Sequence, residues 1–125
     1  MHCIVRSADR TIVDSDVQRI VARSPHGEFA VMDGHAAILA VLVPSIVRIQ
    51  TDGVEQTIVI KGGTFNVADN QATLLVERPY KSEEIDVDSL NAELVALRAH
   101  EPVTAAISEE IAYLELLCRT KETHA

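Results

Sequence analysis

Polar and apolar positions change rhythm once along this chain, near Pro79. Before that point apolar residues come in short runs, many of them rich in Val and Ile, and each run closes on Gly, Pro, Asp, Asn or Ser. Such runs at regular spacing predict β-strands joined by tight turns. The pattern places strands at 2–6, 11–13, 17–23, 28–32, 40–43, 45–50, 54–61, 65–68 and 72–77. Ser7-Ala8-Asp9-Arg10 reads as a hairpin connection, Ser24-Pro25-His26-Gly27 closes the third run, and Pro44 splits the fifth from the sixth. Thr51-Asp52-Gly53 and Asp69-Asn70-Gln71 read as turns, because Asp, Asn and Gly tolerate positive φ. Gly62-Gly63 marks a kink or bulge where a Cβ is not tolerated. Together these signals predict a sandwich or a flattened barrel over residues 1–80.

Past residues 81–85 the period becomes helical. Leu90, Leu94 and Leu97 fall on one helical face, and Asp86 or Asp88 is placed to cap its start. His100-Glu101-Pro102 interrupts the pattern. A second helix fits 104–121, with Ile107, Ile111, Leu114 and Cys118 on one stripe. Two stripes joined by a short break predict an antiparallel helical hairpin over residues 81–125. Each helix is near the ~12–15 residues below which an isolated helix is marginal in water, so each needs a partner surface.

Composition sharpens this reading. Hydrophobic residues make up 47% of 125 but aromatics only 3%, so the core must be aliphatic. The formal net charge is −8, which removes the basic footprint that nonspecific nucleic-acid or anionic-lipid binding needs. The charge is uneven: residues 81–125 carry four Lys/Arg against ten Asp/Glu and hold −6 of the total. Cys3 and Cys118 stand at opposite ends without a CxxC pattern and read as reduced core residues. No stretch approaches the ~20 apolar residues of a membrane span, and no signal peptide is apparent.

Candidate chemistry is sparse. His26, Glu28, Asp33 and His35 lie close in sequence, but no HxH or HExxH spacing supports a metal site. Lys61-Gly62-Gly63-Thr64 lacks the GxxxxGK[ST] pattern and the following helix of a phosphate loop. No nucleophile–base arrangement is visible, so neither catalysis, a cofactor nor a metal is expected. His35 follows an Asp-Gly turn, where a rigid scaffold presents residues to a partner.

The segment Gly27-Glu28-Phe29-Ala30-Val31-Met32-Asp33-Gly34-His35, the later Lys61-Gly62-Gly63 ahead of a strand, and the short helical tail resemble the epsilon subunit of rotary F-type ATP synthases. The resemblance covers most of the chain. It implies a sandwich of about ten strands that is attached to the central stalk, meeting the gamma subunit on one side face and the membrane c-ring at one end. It also implies a non-catalytic rotor part in proton-driven ATP synthesis, peripheral to the cytoplasmic face of a bacterial inner membrane and held there only through the complex. Carried over by position, Glu28, Gly34 and His35 match the family's contact loop. Asp33 stands where that family usually has Pro.

The family's hairpin can also reach the catalytic alpha/beta hexamer and restrain hydrolysis, and some members bind ATP through an Ile/Leu-Asp-x-x-Arg-Ala motif. Here Ile85-Asp86 keeps the first half of that motif, and Arg98-Ala99 keeps the second half in a different place. Asp86 and Arg98 are therefore the candidates for a weak nucleotide contact. Glu109, Glu110 and Glu115 make the second helix acidic, which opposes insertion among acidic partner segments and predicts weak inhibition. Two other readings share the composition: an adaptor of an unrelated complex, and a small β-fold metalloenzyme using His26 and His35.

Overall fold

A computed structural model of the protein describes residues 1–34, 37–99 and 104–124. His35 and the His100-Glu101-Pro102 break lie outside the described residues. The chain divides into two compact units, Met1–Pro79 and Tyr80–Ala125.

The first unit contains β1 (His2–Arg6), β2 (Thr11–Asp16), β3 (Arg19–Ser24), β4 (Gly27–Met32), β5 (Ile38–Leu42), β6 (Ser45–Thr51), β7 (Val54–Ile60), β8 (Gly62–Ala68) and β9 (Gln71–Glu77). One sheet has the order β2-β1-β9-β8-β5, and the other carries β7-β6-β3-β4. All described pairings are antiparallel except β1 with β9. In β9, Ala72, Leu74 and Val76 are buried while Gln71, Leu75 and Glu77 are exposed, the period-2 alternation of a strand with one face on the core.

Cys3, Val5, Phe65, Val67 and Leu74 of the first sheet share one core with Ile20, Val31, Val47, Ile49, Ile58 and Ile60 of the second. Phe29 meets Phe65 edge-to-face with centroids 5.3 Å apart, an aromatic contact within an otherwise aliphatic interior. Burial pushes the Cys3 thiol up to about 12, so it stays protonated and packs as a small hydrophobe. The expected β-sandwich is what forms.

Several boundaries differ from the sequence pattern: β5 runs from Ile38 to Leu42 rather than over 40–43, and β4, β6, β7 and β9 differ by one residue at one end. β2 continues to Asp16, because Asp14, Ser15 and Asp16 pair in register with Ile4, Cys3 and His2 of β1. β3 starts at Arg19, because Val17 N donates to Met1 O and Gln18 N to Gln50 O, which makes 17–18 a connection. β8 runs through both glycines in unbroken register, with Gly62 opposite Glu77 and Gly63 opposite Val76, so no bulge forms there. Their role is close approach: a Cβ on Gly63 would lie 2.1 Å from the Leu75 carbonyl oxygen. The turns Asp52-Gly53 and Asp69-Asn70 both hold two successive residues at positive φ, which matches the twist of the strands they join.

The second unit opens with β10 (Tyr80–Lys81) and a 3-10 turn at Ser82–Glu84, followed by α1 (Val87–Arg98) and α2 (Ala105–His124). Asp86 caps α1 by accepting from Ser89 N and from Ser89 Oγ at 2.9 Å. Ser82 O accepts from Lys121 Nζ, the Cys118 thiol donates to Asn91 Oδ1, and Arg98 Nη2 donates to Glu115 Oε1. The descending partner numbers show that α1 and α2 run antiparallel. Leu90, Leu94, Tyr113, Leu114, Leu117 and Cys118 are buried. Ile107 and Ile111 are only partly buried, contrary to the stripe read from the sequence. Leu114 and Cys118 of that stripe are buried as expected, and Tyr113 and Leu117 join them, because the apolar face is wider than one row of residues.

Replacing Gly63 with Ala should destabilise the sandwich by ~3 kcal/mol, because the new Cβ meets backbone that cannot turn aside. Gly53→Ala, at φ +80° with no atom near its Cβ, should cost only about 1 kcal/mol. Urea midpoints at unchanged slope will compare the two. The Ser89 side-chain and backbone donors hold the Asp86 carboxyl below its ordinary value. Its cap contribution is therefore complete above the ordinary carboxylate range and is lost as pH falls through the lowered folded value. The difference in helical melting between the intact chain and Asp86→Ala should be largest near neutrality and narrow in acid.

Candidate functional site

β4 delivers the Asp33-Gly34 turn at one end of the sandwich, with Gly34 at φ +80°. The same end carries Met1 and the β8–β9 turn, since His2 lies opposite Gln71 across the parallel pair. Three groups converge on this turn. The Met1 ammonium pairs with Asp33 Oδ1. Asn70 Nδ2 donates to the same oxygen at 3.0 Å, and Asn70 Oδ1 accepts from Gly34 N at 2.9 Å. The ammonium above all, then the Asn70 amide, holds the Asp33 carboxyl below its usual range. Asp33 is thus a fixed anion that orients a turn, held there by hydrogen bonds and an ion pair from segments distant in sequence.

Glu28 is not part of this junction. It sits near the opposite end of β4, five residues away, or about 17 Å along a strand. It lies opposite Arg23 on β3. Its carboxylate accepts from Arg48 Nη2 at 2.9 Å, with Arg23 Nη2 at 3.7 Å, and Arg48 Nε lies 3.6 Å from Glu55. These four alternating charges cross the outward face of β7-β6-β3-β4 as a half-exposed ladder. Each pair in such a ladder is worth little alone, but together they fix where Glu28 points. β4 likewise separates His26, before its start, from Asp33, after its end.

The sequence reading missed two further features of the first sheet. Leu39, Val41 and Leu75 are 78%, 63% and 51% exposed. The register places Val41, Thr64 and Leu75 in one row across β5, β8 and β9, and Leu39 one row away, so they form an apolar strip on the outward face. The signal was present: 38–42 is apolar on both faces of a strand, which requires either burial on both or a partner. At the other edge, His2 Nδ1 faces Asp16 Oδ1 at 3.0 Å and Nε2 faces Asp14 Oδ1 at 2.6 Å. Those carboxylates, Asp16 foremost, raise the histidine pKa and favour an imidazolium that donates to both.

Asp86 and Arg98 stand at the two ends of α1, roughly 18 Å apart by helical rise. One caps the helix and the other pairs with Glu115 on α2, so the structure does not bring them together. Gly62, Gly63 and Thr64 lie inside β8, with no helix N-terminus after them. Among the described residues no group of three or more His, Cys, Asp or Glu is placed to hold a metal ion.

Comparison with known proteins gives one answer. Residues 1–82 match the family model of the ATP synthase delta/epsilon chain β-sandwich domain. The ATP synthase epsilon chain of Streptomyces avermitilis is 34% identical over 106 residues, covering 84% of this chain and 86% of that one. The epsilon chain of Psychrobacter cryohalolentis is 25% identical across 97% of this chain and 96% of its own. Among solved structures, a chain of the Euglena gracilis mitochondrial ATP synthase, in its OSCP/F1/c-ring assembly, superposes with a TM-score of 0.77 at 25% identity. That match covers 99% of this chain and 81% of the other. A chain of the Tetrahymena thermophila central stalk/c-ring structure shares the fold at a TM-score of 0.68 and 17% identity, with 96% and 95% covered. By its sandwich, its tail and these matches, the chain belongs to the ATP synthase epsilon-chain family.

Proposed function

We propose that this chain is the non-catalytic rotor subunit of an F-type ATP synthase, joining the gamma subunit to the membrane c-ring so that proton-driven rotation reaches the catalytic alpha/beta hexamer. The observation that carries this reading is the match over 99% of the chain to a subunit of an F1/c-ring assembly. The physics suits the role. A close-packed sandwich has low compressibility and transmits torque without deforming, and it needs no active site.

Two surfaces divide the work. The apolar strip of Leu39, Val41 and Leu75 is the side face assigned to gamma, since an exposed apolar patch on a stable domain marks a partner surface. The Asp33-Gly34 turn, with His35 next to it in sequence, is assigned to the polar loops of the c-ring. Glu28, locked in its ladder, contributes to a ring or stalk contact only through the outward face of β4. Among the described residues no helix is long and apolar enough to cross a membrane, and attachment runs through these partners. We infer peripheral attachment at the cytoplasmic face of a bacterial inner (cell) membrane, in keeping with the bacterial source of the Streptomyces and Psychrobacter relatives.

We assign residues 1–80 to the rotor contacts and 81–125 to a weak regulatory role. Extending α2 toward the hexamer would break the Arg98–Glu115 pair and expose Leu90, Leu94, Tyr113, Leu114 and Leu117, an unfavourable transfer of apolar surface to water. Its Glu109, Glu110 and Glu115 would meet acidic segments. A nucleotide contact at Asp86 or Arg98 would require each to leave its present partner, and no cofactor is assigned.

Co-purification with gamma, the c-ring and the hexamer of the same source tests this reading. The intact chain and a chain ending at Tyr80 should both form a one-to-one complex with gamma, and the truncation should leave the ATP hydrolysis rate close to that of the intact enzyme. Binding by neither form would exclude the rotor role, and strong activation on truncation would exclude the weak-regulation reading. The two surfaces should also separate by mutation. Leu39→Glu should weaken gamma binding roughly tenfold by placing a charge in an apolar contact, while His35→Ala should weaken retention on the c-ring and leave gamma binding intact. Each variant's thermal melt reports whether the sandwich is preserved.

A further inference from the structure

We infer that Asn70 is a positioning residue for ring docking: it touches no partner itself, but locks the Asp33-Gly34 turn in its presenting conformation. The inference rests on the assignment of that turn to the c-ring. The observations come from a different turn, about 36 residues away in sequence, as the Gly34–Asn70 bond spans it.

Asn70 uses every polar group it has that faces this junction. Its backbone carbonyl accepts from His2 N at 3.2 Å, tying the β8–β9 turn to the start of β1. Its side-chain nitrogen donates to the Asp33 carboxylate at 3.0 Å, and its side-chain oxygen accepts from Gly34 N at 2.9 Å. The amide therefore grips both a side chain and the adjacent backbone of one turn. A carboxamide can do this because it carries a donor and an acceptor side by side, whereas a carboxylate or a hydroxyl lacks one member or the spacing. The backbone requirement agrees: Asn70 is at φ +59°, where Asn is among the few side-chain-bearing residues that sit readily. A turn bearing Gly34 at φ +80° is locally soft, and Asp33 lacks the ring that would stiffen a Pro in its place. The clamp supplies that stiffness from the opposite sheet, since β4 and β9 belong to different sheets.

Asn70→Gly separates these roles. Glycine keeps the positive φ and the carbonyl bond to His2 N, and removes only the two side-chain bonds. Asp69→Gly, at the neighbouring position with φ +52°, controls for loosening of the β8–β9 turn itself. The full-length chain and its variants are titrated onto the gamma–c-ring assembly of the same source, with thermal melts and the Gly34 amide resonance followed in parallel. Asn70→Gly should melt within a few degrees of the parent, as surface changes usually do, shift and deprotect the Gly34 amide, and weaken ring docking roughly fivefold, as the loss of about one net hydrogen bond predicts. Asp69→Gly should leave docking unchanged. In a His35→Ala background, Asn70→Gly should add little further loss, because both are assigned to one ring contact.

Unchanged docking in Asn70→Gly, when His35→Ala alone weakens it, would overturn the positioning role and leave the ring contact standing. Equal losses in Asn70→Gly and Asp69→Gly would overturn it in favour of general turn loosening. If His35→Ala also leaves docking intact, the turn is not the ring contact, and the inference falls with that assignment.

Discussion

Two sheets of small aliphatic side chains must lie close enough to exclude water, and every presented residue in this protein depends on that approach. With aromatics so few, the interior is filled by Val, Ile, Leu and Ala from alternate strand positions, and Phe29 against Phe65 is its bulkiest internal contact. Such a core tolerates little slack, because small side chains cannot swing to fill gaps. The demand extends to the backbone: β8 passes so near β9 that Gly63 leaves no room for a Cβ. Rigidity of this kind is what a torque-bearing element needs, and it also fixes which residues reach the two ends and the two outward faces.

The outward faces are not equivalent. The second sheet carries an alternating ladder from Glu55 through Arg48 and Glu28 to Arg23, whose charges satisfy one another. The first sheet carries an apolar strip at Leu39, Val41 and Leu75. A satisfied ladder has little left to offer a partner, while an apolar strip gains from being covered. The end turns form a third kind of surface, polar and held by hydrogen bonds between chain segments far apart in sequence. Separating these chemistries onto different sides of one rigid body lets a small subunit hold several neighbours without any one contact disturbing another.

The tail follows different physics. Its helices are short, and their stability comes from an apolar seam and from end interactions such as the Asp86 cap and the Arg98–Glu115 pair. The two candidate nucleotide contacts are already engaged, Asp86 in capping α1 and Arg98 in pairing with Glu115 of α2. The tail's stability rests on contacts within and between two helices, which sets it apart from a sheet that is built by strand pairing.

Much of the architecture was legible in the chain. Period-2 runs closed by Asp-Gly and Asp-Asn turns give strands, because side chains alternate across a sheet and these turn residues accept positive φ. The Leu90-Leu94-Leu97 spacing and the capping aspartate give α1 for the same kind of local reason. What local pattern could not show is which distant segments meet. It could not place Glu28 in a ladder with Arg48, carry β8 straight through its glycines, or tell that Asn70 would hold the Asp33 turn. It read only half of the buried face of α2: Leu114 and Cys118 are buried as the stripe has it, while Tyr113 and Leu117 are buried where Ile107 and Ile111 are only partly so. Sequence by itself determined nearly all of the elements and their order, since each rests on contacts within a few residues, and the family, since its motifs stand in that order along the chain. Only the tertiary structure decided the clamp, the ladder and the apolar strip, because each is made by strands that are neighbours in a sheet or across the sandwich and far apart along the chain.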